Sequence, residues 1–293
     1  MTEPEALPVF ERLPRGAAID DAAVAHLSRI ARAIRRRDAR MIHDAGQGHI
    51  GGDYSVTDIL VALYFAVLDF DPAAPQDPGR DRLVLSKGHA AGALYCTFAA
   101  LGLLPSEALS TFMRPGSALN GHPATTKVVG VEASTGPLGH GLPLAVGMAL
   151  AAKLDGSPRR TYVIVGDGEL EEGSNWEAMM TAAHHGLENL TVVADRNGLQ
   201  QGATTHATTA LAPLADKAAA FGLDVARVAG HDYPALVSAL RERGSGRPRF
   251  VLAQTTKGYP IDFMANVAAW HHRVPDDAEL AAILDHLAEG KDR

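Results

Sequence analysis

The sequence is poor in cysteine and in positive charge. Cys96 is the single cysteine among 293 residues, so no internal disulfide can form, which is typical of proteins of the reducing cytoplasm. The formal net charge is −7, so the chain has no overall positive field that would attract nucleic acid. We therefore expect a cytoplasmic protein that does not bind nucleic acid.

The sequence also predicts neither a secretory leader nor a membrane-spanning run. Residues 1–16 contain Glu3, Glu5 and Glu11 together with three prolines, and they lack the basic start and apolar core of a signal peptide. No apolar run approaches the length that a membrane-spanning helix needs, so we expect no membrane partner. We interpret residues 1–16 as a flexible N-terminal arm.

The remaining residues, 17–293, are interpreted as one domain, since this length suits one large α/β domain. Apolar residues recur at helical spacing in 20–44, 57–68, 90–101, 142–154 and 175–185. Strand patterns occupy 82–85, 161–165, 190–194, 224–228 and 250–253. Strands that alternate with helices predict an α/β fold with a parallel sheet and helices on both faces.

Other features receive structural interpretations. Residues 46–52 are too rich in glycine for a helix. The one basic run is interpreted as the solvated face of the first helix and comprises Arg32, Arg35, Arg36, Arg37 and Arg40. A lone histidine is usually a surface or satisfied core residue, and this interpretation is given to His26, His43, His184, His185, His206 and His231.

Polar, glycine-bearing turns follow two consecutive predicted strands. Asp167 lies between Gly166 and Gly168, and Asn197 precedes Gly198. Ligands of open parallel sheets bind outside the carboxyl ends of the strands, and Gly168 comes just before a predicted helix, where free N–H groups favour phosphate. The two side-chain oxygens, with a backbone carbonyl and diphosphate oxygens, could complete six oxygen ligands around Mg²⁺ or Ca²⁺.

Each motif has an ordinary alternative when it is taken alone. Gly-Asp-Gly is often only a turn, and Asn-Gly is a frequent hairpin signal. Their order along the chain, with thirty positions from Asp167 to Asn197, is similar to the thiamine diphosphate motif of a superfamily of enzymes. That resemblance implies thiamine diphosphate and a divalent metal, Mg²⁺ or Ca²⁺, as cofactors.

Over about residues 20–275 the sequence resembles the diphosphate-binding domain of transketolase. The matching blocks, in the family's order, are Gly48-His49 with Gly51, Ser86-Lys87-Gly88-His89, Gly121-His122-Pro123, residues 134–141, residues 166–173, and Trp270-His271. The pyruvate dehydrogenase alpha subunit shares the metal motif but not this set of histidine loops. The resemblance implies the N-terminal subunit of a split transketolase.

The resemblance also implies a role for each matched residue. The metal ligands would be Asp167, Asn197 and the backbone carbonyl of Leu199. The cofactor-binding residues would be His89, Gly136, Leu138, Gly168, Asn197 and His271. The catalytic histidines would be His49, His122 and His271, of which the first two face the carbonyl and hydroxyl groups of the substrate. His272 directly follows His271, so either could be the family's residue, and we prefer His271.

Part of the family's active site does not fit into this chain. The family places the glutamate that activates the cofactor on a pyrimidine-binding domain, for which no room remains before Arg293. We expect a separate pyrimidine-binding subunit, an α2β2 assembly, and transfer of a two-carbon ketol unit from a ketose to an aldose. Glu172 and Glu177 match acidic residues of the family's subunit interface, although a solvated helix start remains the alternative.

Three departures from the family concern the substrate. His140 replaces a glutamine, Met113 stands where an arginine follows Phe112, and Ala118 replaces a basic residue. Sugar phosphates and specialised, non-phosphorylated substrates are therefore both open. A non-catalytic scaffold is the third alternative, and the intact histidine loops disfavour it.

Overall fold

A five-stranded parallel sheet in the order β1-β2-β3-β7-β6 lies at the centre of the computed structural model, which describes residues 6–243 and 245–288. The strands are β1 Arg82–Leu85, β2 Thr161–Gly166, β3 Leu190–Arg196, β4 Leu199–Gln200, β5 Ala203–Thr204, β6 Asp224–Ala229 and β7 Arg249–Gln254. The short strands β4 and β5 form a separate antiparallel hairpin.

The helices are α1 Asp21–Ala45, α2 Ile50–Ala62, α3 Ala91–Ala100, α4 Gly141–Leu154, α5 Gly173–His184, α6 Thr205–Thr208, α7 Leu214–Ala220, α8 Tyr233–Arg241 and α9 Asp277–His286. α2 continues into one π-helical turn, Leu63–Val67. Short 3₁₀ turns are Gly88–Ala90, Ser106–Thr111, Glu169–Glu171 and Ala268–His271. The predicted helices and strands match these elements to within two residues at their ends, except that α2 begins at Ile50, seven residues before the predicted helix 57–68.

Helices cover both faces of the sheet. Along β2, Tyr162 and Ile164 join a core cluster with residues of α1, α2, α3 and α8. Val163 and Val165 point the other way and pack with residues of α4, α5 and α7. This alternation follows from the two-residue period of a strand, and it confirms the predicted α/β fold with helices on both faces.

The strand register aligns the carboxyl ends of the three central strands. Gly166 of β2 pairs with Asp195 of β3, and Arg196 of β3 pairs with Gln254 of β7. Because all three strands run parallel, the residues that follow them emerge at the same edge. That edge therefore collects the two turns selected from the sequence and the segment after β7.

The expectation that residues 46–52 avoid a helix is wrong for its last part. α2 begins at Ile50 and includes Gly51 and Gly52. A Cβ on Gly51 would lie 2.6 Å from the backbone oxygen of Trp270, so this turn needs glycine for close packing. Tertiary contact offsets the poor helix propensity of glycine here.

The expectation about hydrophobic length also needs correction. The helical stretch Ile50–Val67 is long and apolar enough to cross a membrane, with a mean hydropathy of 1.3. Its whole length is buried inside the protein, as is usual for the central helix of a large core. Composition alone does not separate these two cases.

The N-terminal arm is tied to the core where the structure describes it. It has no helix or strand over residues 6–16, as expected, but Leu7 is buried. The backbone N–H groups of Phe10 and Leu13 donate to the carbonyls of Ala100 and Phe65, each at 2.8 Å. Residues 1–5 of the predicted arm lie outside the described residues, and the boundary at residue 17 stays a prediction.

The basic run of α1 is not simply a solvated face. Arg35 and Arg37 are 3% and 4% exposed. The guanidinium of Arg35 donates to both carboxylate oxygens of Asp58 on α2, with the nearer pair of atoms 2.6 Å apart. The interpretation of these two arginines as solvent-facing is therefore wrong. For Arg35 the reason is an acidic partner on α2 that its local sequence does not reveal.

Candidate active site

A buried carboxylate closes the turn after β2. Asp167 is 3% exposed, and its Oδ1 accepts from the backbone N–H of Gly168 at 3.0 Å. Its Oδ2 accepts from the N–H of Gly198, which follows β3, at 2.6 Å. Burial, with a smaller contribution from the negative charge of Asp195, raises the pKa of Asp167 to about 6. Two backbone N–H groups orient this carboxylate. Because burial disfavours its charged form, a bound cation would stabilise it.

The turn after β3 places the other predicted metal ligands beside Asp167. Asn197 is 8% exposed, and its Oδ1 accepts from the N–H of Leu199, the first residue of β4. Over the described ranges, no group of three or more His, Cys, Asp or Glu could hold a metal. A divalent ion here would therefore need neutral oxygens and ligand oxygens as well as Asp167, which is the coordination predicted from the sequence.

The predicted histidines meet at the same edge. The ring of His49, just before α2, lies 5.3 Å from that of His89, 6.2 Å from that of His122 and 5.5 Å from that of His271. His89 and His271 are 5.3 Å apart. The structure therefore brings all four predicted histidines together. His272 also joins them, since its ring is 4.6 Å from that of His49.

Burial holds the four predicted histidines in their neutral form. Burial, together with His272, His122 and nearby lysines, lowers the pKa of His49 to about 4. Burial and Lys257 lower the pKa of His271 to about 3, and burial also lowers the pKa of His89 and His122. Neutral imidazoles can both donate and accept hydrogen bonds at physiological pH, which suits contact with hydroxyl and carbonyl groups.

A buried lysine lies beside this histidine cluster. Lys257, just after β7, is 2% exposed, and its Nζ is 3.0 Å from Nδ1 of His271. Burial and the positive charge of Lys87 lower the pKa of Lys257 to about 8, so it is still mostly charged at neutral pH. Within the described part of the chain, no carboxylate lies at ion-pair distance from this ammonium. It is suited to an anionic ligand.

The Lys257 contact also assigns the proton on His271. An ammonium group only donates, so Nδ1 of His271 must accept, and its proton lies on Nε2. His271 thus presents an N–H donor. An ammonium and an imidazole N–H side by side form a suitable cradle for phosphate oxygens.

A second buried lysine is fully paired. Nζ of Lys87 donates to Oδ2 of Asp195 at 2.6 Å and to the carbonyl of Gly52 at 3.2 Å. Asp195 also accepts from the hydroxyls of Ser55 and Thr255. Burial would raise the pKa of Asp195, but Lys87 and these donors outweigh it and lower the pKa. The pair joins the His89 loop to the ends of β3 and β7.

The loop that contains Gly136 and Leu138 is positioned by a buried glutamate. Glu169 is 2% exposed, and its carboxylate accepts from the N–H groups of Gly139 and Gly166, each at 3.0 Å, and from the hydroxyl of Ser86. Glu169 therefore ties this loop to the turns after β1 and β2. Gly136 lies against His122, since a Cβ there would be 3.5 Å from its ring.

The departures from the family occupy defined positions. Met113 has a positive φ of 54° and packs on Gly121, where an added Cβ would meet its Cε at 2.9 Å. Arg114 does not replace the missing arginine, because its Nη2 donates to the carbonyl of Asp44 at 2.7 Å. Nδ1 of His140 lies 2.9 Å from the carbonyl of Leu138 and so donates to it.

The predicted interface residues lie at the start of α5. Glu172 is exposed just before α5, and its Cβ is close to Gly139, where an added Cβ would approach it to 2.7 Å. Glu177 is exposed on α5. Both positions are open to a partner, so their interface role stays a prediction.

Sequence reasoning assigned no role to Lys87, Asp195, Glu169 or Lys257. Lys257 had a usable signal, because it follows a third predicted strand and precedes a glycine, as Asp167 and Asn197 do. The burial and pairing of the other three depend on residues far away in the sequence.

Gly168 gives a steric test of the site. Its φ of −64° suits alanine, but an added Cβ would lie 2.8 Å from Cβ of Gln200. We expect Gly168→Ala to displace β4 and to cost about 1–3 kcal/mol of unfolding free energy, measured by urea denaturation. Gly173→Ala is the matched control, since its Cβ would meet nothing within 4 Å. Equal stability of the two variants would contradict the steric assignment.

The raised pKa of Asp167 predicts a pH dependence of metal binding. Above about pH 6 the carboxylate is charged in the free protein, and below it a proton competes with the metal. Mg²⁺-dependent affinity for a diphosphate ligand should fall by about tenfold per pH unit below that value. Calorimetry from pH 5 to 8 measures it. The Asp167→Asn variant is the control for ionisation of the diphosphate ligand. Any dependence of affinity on pH that persists in this variant does not come from Asp167.

In the metal-free protein, a rise in pH through the pKa of Asp167 has the opposite effect: it lowers the folding stability. The folded-state pKa is raised above the ordinary value of 3.8, so the protonated form is favoured in the folded state. Stability of the metal-free protein should decline as the pH rises from about 4 to 6 through this group. Asp167→Asn should flatten this part of the curve of unfolding free energy against pH.

A parallel α/β sheet whose strand ends carry a buried carboxylate, an amide and an anion cradle defines a domain that binds a phosphorylated ligand at that edge. The family described as "Transketolase, thiamine diphosphate binding domain" matches residues 27–288. The chain belongs to this family.

Two similar proteins are matched over nearly their whole length. One is a subunit of the apulose-4-phosphate transketolase of Actinobacillus succinogenes, with 44% identity over 265 residues, covering 90% of this chain and 96% of that protein. The other is the 6-deoxy-6-sulfo-D-fructose transketolase subunit SqwG of Clostridium sp., with 40% identity over 263 residues, covering 89% and 96%.

Solved transketolases share the fold over part of their length. The enzymes from Leishmania mexicana and Campylobacter jejuni superpose with a TM-score of 0.83, at 29% and 30% identity. Each match covers 89% of this chain but 41% and 42% of the solved chain. The chain therefore spans about two fifths of the length of these enzymes.

Proposed function

We propose that this chain is the cofactor-binding subunit of a two-component transketolase. Paired with a pyrimidine-binding subunit, it transfers a two-carbon ketol unit from a ketose to an aldose. The observation that carries the proposal is that one sheet edge has a site for a cation next to a site for an anion. Asp167 is suited to bind the cation, and Lys257 and His271 are suited to bind the anion. A metal-bound diphosphate satisfies both at once.

The residues present fit thiamine diphosphate with Mg²⁺ or Ca²⁺. Asp167, Asn197 and the carbonyl of Leu199 would hold the metal, and the backbone of Gly168, in the turn after β2, would lie against the diphosphate. His89, His271 and Lys257 would bind phosphate oxygens. When bound, this cofactor supplies the nucleophilic carbon with which the family breaks and forms carbon–carbon bonds next to a carbonyl.

The chain's own residues would orient the sugar. His49 and His122 are neutral at physiological pH and their rings lie 6.2 Å apart, so they can donate to a carbonyl oxygen or accept from a hydroxyl. To transfer a proton to or from a substrate hydroxyl, a histidine must lie within hydrogen-bond reach of that hydroxyl.

A specialised substrate is favoured over a common sugar phosphate. Met113 occupies the position of the family's arginine, and Arg114 is engaged with the end of α1. The two similar proteins described above carry names that specify apulose 4-phosphate and 6-deoxy-6-sulfo-D-fructose. We propose a ketose of this unusual kind as donor. A donor and acceptor screen on the reconstituted enzyme would identify it.

Further parts of the proposal concern assembly and location. The names of those relatives include the word subunit, which supports a partner. We propose an α2β2 assembly in the cytoplasm, with Glu172 and Glu177 at the interface.

Reconstitution tests the proposed function. The purified chain should bind thiamine diphosphate with Mg²⁺ in calorimetry but should show no ketol transfer by itself. Activity should appear when the pyrimidine-binding subunit is added, and His122→Ala should reduce it without preventing cofactor binding. Full transfer by this chain alone, or no cofactor binding with either metal, would refute the proposal.

A further inference from the structure

His231, interpreted from the sequence as an ordinary histidine, has both ring nitrogens engaged. It lies between β6 and α8, and its Nδ1 is 2.6 Å from Oδ2 of Asp58. Its Nε2 accepts from the backbone N–H of Thr256 at 3.0 Å. The ring also stacks on Tyr259, with centroids 3.8 Å apart and planes at 17°.

These contacts determine the state of the ring. The backbone N–H of Thr256 can only donate, so Nε2 must be unprotonated, and the proton of His231 lies on Nδ1, facing the carboxylate of Asp58. His231 therefore joins a carboxylate anchored on α2 to the backbone of the segment after β7. Each of its two nitrogens has a distinct function.

The anchored backbone carries Lys257 directly. Thr256 precedes Lys257, and the neighbouring Thr255 donates its hydroxyl to Asp195. On the other side, the N–H of Gly258 donates to the carbonyl of Gly51 at 3.1 Å. The carbonyl of Lys257 itself accepts from the N–H of Asn266 at 3.0 Å. The His231 contact holds the chain on the other side of Lys257, at the peptide between Thr255 and Thr256.

We propose that His231 is a positioning residue for the cofactor diphosphate, acting through Thr256 to hold Lys257 beside His271. This inference rests on the proposed function. It predicts that the acceptor on Nε2 matters for cofactor affinity, whereas the donor on Nδ1 matters mainly for stability.

The surroundings of Asp58 support this division. Asp58 receives two bonds from Arg35 and one from the hydroxyl of Tyr233, so it stays paired when His231 is changed. The N–H of Thr256 has His231 as its hydrogen-bond partner. A cavity of about 680 Å³ is lined in part by Asp58, His231 and Tyr259. Loss of the acceptor would therefore leave the peptide between Thr255 and Thr256, one residue before Lys257, free to move.

Two substitutions distinguish the contributions of the two ring nitrogens of His231. His231→Gln keeps an acceptor near the position of Nε2 and loses the Nδ1 donor, whereas His231→Asn keeps a donor near Nδ1 and loses the distant acceptor. Thiamine diphosphate affinity in Mg²⁺ should fall by about 3- to 10-fold in the asparagine variant, as for one lost hydrogen bond. It should change less than about twofold in the glutamine variant.

Tyr233→Phe is the matched control, because it removes a bond to Asp58 without touching Thr256. It should leave the affinity unchanged, and thermal melting of each variant checks folding. A purely structural role would instead make affinity follow stability in all three variants, which would overturn the inference.

A double-mutant cycle with Lys257→Met gives an independent readout. If His231 acts through Lys257, the asparagine substitution should have little further effect on affinity once Lys257 is methionine. Additive losses would overturn the inference while leaving the proposed function intact. Absence of thiamine diphosphate binding by the unsubstituted chain would refute the proposed function instead.

Discussion

Asp167→Ala should lower the affinity for thiamine diphosphate at ordinary Mg²⁺ concentrations by more than about 100-fold, since even residues that only support metal ligands contribute about 10- to 100-fold. The substitution removes an oxygen ligand and the one carboxylate that the Asp167–Asn197 site offers to the ion. It also removes the acceptor for the N–H of Gly198, which holds the two strand-end turns together. Binding of the diphosphate should therefore lose its metal bridge.

Isothermal calorimetry with and without Mg²⁺ measures this effect. Asp216→Ala is a suitable control, because Asp216 is an exposed acid that pairs with Arg227 on the surface. It removes one negative charge far from the proposed ligands and should leave affinity unchanged. An Asp167→Ala protein that binds cofactor as tightly as the unsubstituted chain would show that the metal site lies elsewhere.

Asp195→Ala should destabilise the fold by about 3–5 kcal/mol, the range expected when one partner of a buried ion pair is removed. Asp195 is fully buried and Lys87 is 2% exposed, so the ammonium would stay in the interior without its carboxylate. The hydroxyls of Ser55 and Thr255 would lose their acceptor as well. The cost comes from the unpaired buried charge rather than from the net strength of the pair.

Urea denaturation of the Asp195→Ala variant gives the free energy of unfolding. The double variant Lys87→Met with Asp195→Leu should be less destabilised than Asp195→Ala, since no buried charge is then left unpaired. Asp216→Ala should change stability by less than about 0.5 kcal/mol, as for most surface substitutions. A loss below about 1 kcal/mol in Asp195→Ala would contradict the buried pairing.

The sequence predicted much of the site because its chemistry lies in short, local motifs. His49, His89 and His122 sit in glycine-bearing loops, and the structure brings them to one place with His271. The choice between His271 and His272 as the cofactor-binding histidine depends on the structure. His271 contacts Lys257, while His272 approaches His49 from the more exposed side, which favours the choice of His271 as the cofactor residue.

Other residues were misjudged because their environment is set by distant segments. Arg35 has the local pattern of a solvated helix face, yet Asp58 on α2 makes it an internal ion pair. Gly51 and Gly52 have poor helix propensity, yet packing against Trp270 and His89 makes them the first turn of a buried helix. Local propensity is a weak force, and tertiary contacts outweighed it at these positions.

By itself, the sequence determined the alternation of helices and strands, the glycine-bounded turns and the residue types at each strand end. These depend on periodicity and local backbone chemistry, which a chain carries without reference to its fold. The tertiary structure decided which charged and polar groups meet. It joined Lys87 to Asp195, Lys257 to His271, and His231 to both Asp58 and Thr256. Burial and partner choice arise only when distant segments pack together, because solvent exclusion is what makes such contacts strong and specific.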